Sequence, residues 1–176
     1  MLINIAGWLP ATLVNGPGVR CTVFVQGCPH ACKGCHNPST HSFERRRLVA
    51  TAKIVAEIKR RSKFLDGITL SGGEPFCQSE ACKEIADAAH ELGLNVWCYT
   101  GFTWNALIKE ADPLRMALLE SVDVLVDGPY IEELRTDKLP WRGSKNQKII
   151  DVRKSLQEGR RIEVKHEDRL HSFRIC

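Results

Sequence analysis

No apolar stretch in the 176 residues approaches the roughly 20 needed to cross a bilayer, so no membrane-spanning helix is expected. The first eight residues, Met1 to Trp8, have no basic segment and no long apolar run, so they are not read as an export signal. Internal repeats, low-complexity tracts and linkers rich in Pro, Gly or Ser are also missing. The chain is therefore read as one domain over residues 1–176, of ordinary domain size. Its net charge is only +4, too small by itself to imply nucleic acid, and neither a nucleic-acid nor a membrane partner is expected. With 43% hydrophobic and 26% charged residues it can build a core, which excludes wholesale disorder.

Cysteine is what the chain does not lack: it has eight. Without an export signal the expected compartment is the cytoplasm, where thiols stay reduced, and metal or redox chemistry becomes the leading reading. Charge is unevenly spread. Residues 138–176 carry eleven Lys and Arg against five Asp and Glu, while the rest of the chain is slightly acidic. This basic C-terminal part is either a solvated face or the meeting point with an acidic partner.

Short apolar runs alternate with helix-like segments. Strands are read at 21–25, 67–71, 95–99 and 122–126, with weaker signals at 149–150 and 162–164. Helices are read at 51–62, from a Ser79 cap to Gly93, from Asp112-Pro113 to Glu120, and at 152–158. Strand–helix alternation implies an α/β fold with a parallel sheet. At ~30 residues per unit the length holds about six units, too few for a closed eight-unit barrel. Ligands of such sheets gather beyond the C-terminal strand ends, which nominates the loops after Val25, Ser71, Tyr99 and Val126.

The first of those loops, residues 27–37, holds Cys28, Cys32 and Cys35 in a C-x3-C-x2-C spacing. Three thiolates from one loop can hold a cubane iron–sulfur cluster with one iron left open to a small molecule. They can equally form a Cys3His zinc knot with His30, His36 or His41. The second loop reads Ser71-Gly72-Gly73-Glu74-Pro75. Its paired glycines allow close approach to backbone, and Glu74 adds a carboxylate. Asp127 ends the fourth strand and is either a weaker site candidate or a turn residue. Cys21, Cys82 and Cys98 are read as small hydrophobes, and Cys77 with Cys82 is too small a set for a second cluster. Lys165 and His166 are read as an exposed charged end. No Ser/His/Asp triad is present.

The cysteine loop and the Gly-Gly-Glu loop together resemble the radical S-adenosylmethionine (SAM) superfamily. Val14-Asn15-Gly16-Pro17-Gly18-Val19-Arg20, Cys32-Lys33-Gly34-Cys35-His36-Asn37, Tyr99-Thr100-Gly101, Val126-Asp127-Gly128 and Trp141-Arg142-Gly143-Ser144-Lys145-Asn146-Gln147 follow in one order. That series resembles the activating proteins of anaerobic (class III) ribonucleoside-triphosphate reductases over residues 14 to about 150. The resemblance implies a partial (β/α)6 barrel of the radical SAM type, and a [4Fe–4S] cluster on Cys28, Cys32 and Cys35. It also implies SAM beside Gly34, Cys35, His36, Gly73 and Glu74, with Asp127 as a weaker contact. Reduction by flavodoxin or a similar donor would cleave SAM to methionine and a 5′-deoxyadenosyl radical, which takes a hydrogen atom from a glycine of the reductase large subunit. Gly34 stands where many superfamily members have an aromatic, and His36 would have to stack or hydrogen-bond. The missing side chain of Gly73 is expected to leave room for SAM. The segment from Trp141 to Gln147 either helps dock the reductase or folds back onto local backbone. The alternatives are an activator of a pyruvate formate-lyase type enzyme and a non-catalytic zinc module.

Overall fold

The computed structural model describes residues 1–164. They form an α/β fold around one seven-stranded mixed sheet. Strands β1 (Leu2–Thr12), β2 (Arg20–Val25), β3 (Leu48–Ala50), β4 (Gly67–Gly72), β5 (Asn95–Tyr99), β6 (Val124–Asp127) and β7 (Lys148–Asp151) lie in the order β3-β1-β2-β4-β5-β6-β7. The four central strands β2, β4, β5 and β6 are parallel. Helix α1 (Thr51–Arg61), helix α2 (Ser79–Glu91), and the pair α3 (Trp104–Glu110) and α4 (Pro113–Glu120) connect them in turn. The flanking strands β1, β3 and β7 are antiparallel to their neighbours, and α5 (Val152–Glu158) follows β7.

Side-chain alternation divides the sheet into two unlike faces. Cys21, Val23, Val25, Ile68, Leu70, Val96, Cys98 and Leu125 point to the helical side and join Ile54, Ile58, Cys82, Ile85, Leu118 and Leu119 in the main core. The opposite face carries Trp97, Val124, Val126 and Ile149, with Tyr99 and Trp141 against them. Between these lie the hydroxyls of Thr22, Thr69 and Ser71. This second face bears no helix from the set that covers the first, and the site opens on it.

Local chemistry sets the helix ends. Asp112 accepts the Arg115 amide at 2.9 Å with Pro113 as the first residue of α4. Beyond α2, Gly93 has φ of +73° and its amide reaches the His90 carbonyl at 2.9 Å, while the Leu94 amide reaches Ala89 at 3.0 Å. Ser79 differs from expectation. It is the first residue of α2 rather than its cap, because the helix issues straight from the tight turn at Pro75–Cys77 and the Ser79 hydroxyl donates back to the Phe76 carbonyl.

The six-unit count also needs correction. Among the described residues there are four parallel strands and three crossovers. The chain between β2 and β3, and again between β6 and β7, goes into loops that hold one short 3-10 turn each instead of a crossover α-helix. The long β1 was illegible because its pairing with β2 is irregular, with register shifts after Ile5 and Leu9 that break the alternation. Strand β6 starts at Val124 rather than Val122, and Glu163 makes only an isolated bridge to Ile150. Lys165, His166 and the rest of the basic part beyond residue 164 lie outside the described residues.

Candidate functional site

All four nominated loops meet at one cavity of about 380 Å3 beyond the C-terminal ends of β2, β4, β5 and β6. Cys28, Cys32 and Cys35 line it, and the other four cysteines of the described residues do not. Cys21, Cys82 and Cys98 are buried and Cys77 is exposed.

The cysteine loop leaves β2 through Gly27, whose φ of +96° is a left-handed turn. The Gly27 amide then reaches the Thr40 carbonyl at 2.9 Å and the Cys28 amide reaches His41 at 3.1 Å. Further along, the Cys35 amide closes a turn on Cys32, and the Asn37 amide donates to the Cys35 sulfur at 3.4 Å. Burial pushes the Cys28 thiol up to about 11; the His30 amide opposes this, while Glu74, Cys32 and Cys35 add to it. Such a place disfavours a bare thiolate and gains from a cation that replaces the proton. Among the described residues no three His, Cys, Asp or Glu side chains converge on a single-ion point. A cubane does not ask for that, since each thiolate serves a different iron. Three soft donors on one loop, facing one cavity, fit an iron–sulfur cluster.

Glu74 is wholly buried and does not line the cavity. One carboxylate oxygen accepts the Phe76 amide at 3.0 Å and the Thr100 hydroxyl at 2.9 Å. The other accepts the Gly101 amide at 2.8 Å and stands 2.8 Å from the His30 ring nitrogen. It therefore ties three loops together behind the lining, and its direct contact with SAM is not supported. His30 is fixed in the same way: its ring lies edge-on to Phe102 at 4.6 Å, and a side chain on Gly101 would strike it. Sequence reasoning considered His30 only as a zinc ligand and missed Thr100 and Gly101 as partners of Glu74. The available signal was a third Gly-bearing loop, Tyr99-Thr100-Gly101, in the place equivalent to the first two.

Gly73 lines the cavity, and its glycine also meets a packing need that the sequence does not announce. Its amide donates to Val25 at 2.8 Å, the next amide donates to Gly27 at 2.8 Å, and a Cβ on Gly73 would run into the Gly27 carbonyl. The missing side chain admits the cysteine loop at this point. Gly34 has φ of +72° and a Cβ there would meet the Glu132 side chain at 2.7 Å; it lies outside the lining. Cys35 and His36 do line the cavity, and the His36 ring rests tilted on Tyr130 at 5.0 Å. Asp127 is buried outside the lining, its two oxygens taking the Trp104 amide at 2.7 Å and the Lys148 amide at 3.2 Å. Burial raises its pKa against those bonds. It braces α3 and β7, the turn reading rather than the contact reading.

The segment from Trp141 to Gln147 divides its duties. Gln147 accepts the Gly143 and Ser144 amides and donates to the Gly128 carbonyl, while Asn146 donates to Pro129 at 2.8 Å. These amides satisfy local backbone, as the fold-back reading has it. Trp141, Arg142 and Gly143 face the cavity.

The sequence model of one family, described as a 4Fe-4S single cluster domain, matches residues 14–150. An anaerobic ribonucleoside-triphosphate reductase-activating protein from Vibrio cholerae serotype O1 is 40% identical over 154 residues, covering 84% of this chain and 97% of its own. The protein of that name from Escherichia coli K12 is 32% identical, covering 86% and 100%. The one from Enterobacteria phage T4 is 36% identical, covering 80% and 88%. The solved structure of QueE from Escherichia coli overlaps 58% of this chain and 54% of its own at 18% identity and a TM-score of 0.49, too remote a likeness to argue from.

Proposed function

The chain belongs to the anaerobic ribonucleoside-triphosphate reductase-activating proteins, with a 4Fe-4S single cluster domain over residues 14–150, and on that premise we propose that it is a radical SAM activase of such a reductase. The observation that carries this reading is that Cys28, Cys32 and Cys35, alone among the described cysteines, face the one cavity on which the four strand-end loops converge.

When bound, a [4Fe–4S] cluster on these thiolates supplies the electron that cleaves SAM to methionine and a 5′-deoxyadenosyl radical, the species that takes hydrogen from a glycine of the reductase large subunit. The chain's own work is to hold and to shield. Gly27 and Gly73 bring two loops into backbone contact, so the cysteine loop is set against the end of β4. Glu74 fixes that loop through His30 and fixes the β5 loop through Thr100 and Gly101. Cys35, His36 and Gly73 remain the contacts for SAM, joined by Tyr99 and Gly101 on the same wall. The sheet acts as a partial barrel of the radical SAM type, reduced to four parallel strands. No helix of the described residues is long and apolar enough to cross a membrane.

Two measurements on anaerobically reconstituted protein test the reading. Replacing Cys28, Cys32 or Cys35 by Ala is expected to abolish SAM cleavage and lower bound iron and sulfide, while Cys77→Ala and Cys82→Ala leave both intact. Co-expression with an anaerobic ribonucleotide reductase is expected to give the electron paramagnetic resonance doublet of a glycyl radical. A colourless protein that binds zinc alone, or a reductase without that signal, would overturn the proposal.

A further inference from the structure

After the cysteine loop the chain folds back along its own outer side. Residues 39–47 form a strap over the stretch that carries Cys28. Gln26 donates from its side chain to the carbonyls of Ser39 and Ser42, at 3.1 and 2.7 Å. The Cys28 amide donates to the strap's His41 carbonyl at 3.1 Å. Farther on, Asn4 Oδ1 accepts the amides of Arg46 and Arg47, each at 3.1 Å, and its Nδ2 donates to the Glu44 carbonyl. The strap is thus anchored at both ends.

What it presents outward serves none of these bonds. Phe43 is 60% exposed, yet its ring stands so close to Gly27 that a Cβ there would meet it at 2.7 Å. An exposed aromatic therefore lies one residue from a cluster thiol, and it is outside the lining of the cavity. Beside it Arg45, Arg46 and Arg47 are exposed in succession, with Glu44 the only acid of the strap. None of the three forms an ion pair with an acid among the described residues; Arg47 lies over the Trp8 ring at 4.8 Å. Lys33, on the cysteine loop itself, is paired with Glu132 at 3.1 Å.

We propose that this strap is the docking surface of an acidic one-electron carrier protein, separate from the mouth that receives the reductase. The inference rests on the functional reading above. A carrier using the mouth would have to leave before the reductase could cover it, whereas one seated on the strap needs no exchange. Electron transfer weakens steeply with distance, and the strap reaches Cys28 through the hydrogen bond from its amide to His41, with the Phe43 ring against the preceding residue, Gly27. The step is a bare electron transfer: the carrier is oxidised by one electron, the centre held by the cysteines is reduced by one, and no bond or proton moves. Three unpaired guanidinium groups attract an acidic surface and accelerate its encounter, an effect salt screens.

The test compares Arg45→Glu/Arg46→Glu with wild type, both anaerobically reconstituted, with flavodoxin as the probe carrier. Arg47 is left in place because of its contact with Trp8. Flavodoxin binding by calorimetry is expected to weaken roughly tenfold or more at low salt, and reduction by flavodoxin hydroquinone to slow in step. Arg45→Lys/Arg46→Lys should stay close to wild type. Iron content, and SAM cleavage driven by dithionite, should be the same in all three. Unchanged flavodoxin affinity in the Glu variant overturns the inference. So does a matching fall in dithionite-driven glycyl-radical yield, which would assign the strap to the reductase. A wild type that dithionite cannot drive to cleave SAM overturns the functional reading itself.

Discussion

Arg20 and Glu74 are both wholly buried, and they stand at opposite ends of the same parallel strands. Arg20 opens β2 at the level where β4 and β5 begin. Its guanidinium donates to the Thr69 hydroxyl at 2.8 Å, to the carbonyls of Pro17, Ile68 and Asn95, and to the Asn95 side chain at 2.8 Å. Burial lowers its pKa to about 10, so it keeps its charge at neutral pH. Glu74 also has all its bonding capacity used, but by groups from loops rather than from strands. Burying such polar groups is costly unless they are bonded, and both are tolerated because backbone and side-chain partners converge on them. The difference lies in what each one stitches. Arg20 holds the sheet together at the end away from the cavity, and Glu74 holds together the walls of the cavity.

The largest effect is expected from breaking the structural end. Arg20→Met leaves the Ile68 and Asn95 carbonyls without their buried donor and should cost about 3–5 kcal/mol of stability. Denaturant unfolding of the apo chain measures it. Iron bound per folded molecule should not change, since no Arg20 bond reaches the cavity lining except through Asn15 and Thr69. A loss below about 1 kcal/mol, in the range of a surface pair, would remove Arg20 as a keystone.

Breaking the other end should show the reverse profile. Gly73→Val sets a side chain against the Gly27 carbonyl, and overpacking of this kind costs about 1–3 kcal/mol. The strain falls on the residue next to Cys28, so reconstituted iron should drop severalfold along with SAM affinity. If the glycine served only to make room for SAM, iron content would stay at the wild-type level while SAM affinity fell. The two readouts together separate a packing role from a ligand-clearance role.

The two ends were not equally legible in the sequence. The three cysteines, the Gly-Gly turn and the strand ends carrying them could be read from spacing, since short-range periodicity and loop position are local properties. The four parallel strands were placed within two residues for the same reason. What could not be read was which side chains face one another across loops. Glu74 and Asp127 are acids at strand ends and look alike in sequence, yet both turn away from the cavity to collect backbone amides. Arg20 sits inside a recognisable Gly-Pro-Gly-Val-Arg motif, but its burial follows from strands brought in 48 and 75 residues later. Tertiary neighbours decide such roles.

The smallest effect belongs to a joint away from both ends, and it sharpens the comparison as a control. His90, in the last turn of α2, has its ring nitrogen 2.9 Å from Asp123 Oδ2, which also accepts the Val96 amide at 2.8 Å. The bond to Asp123 raises the imidazole pKa above its ordinary 6.5, against partial burial and the nearby Arg153. In the folded state His90 therefore keeps its proton at pH values where the unfolded chain has begun to lose it. That stabilisation is fully present below the unfolded pKa and is lost as pH rises through the folded one. The pair is partly buried but both side chains still meet solvent, so its worth is about 1 kcal/mol. Denaturant unfolding of wild type and His90→Gln should differ by that amount near pH ~6 and converge by pH ~9, with iron loading equal at both. A difference that does not change across this range would mean that the proton on His90 contributes nothing to the fold. A change in iron loading would mean that the helical layer, like Glu74, supports the cavity walls from behind.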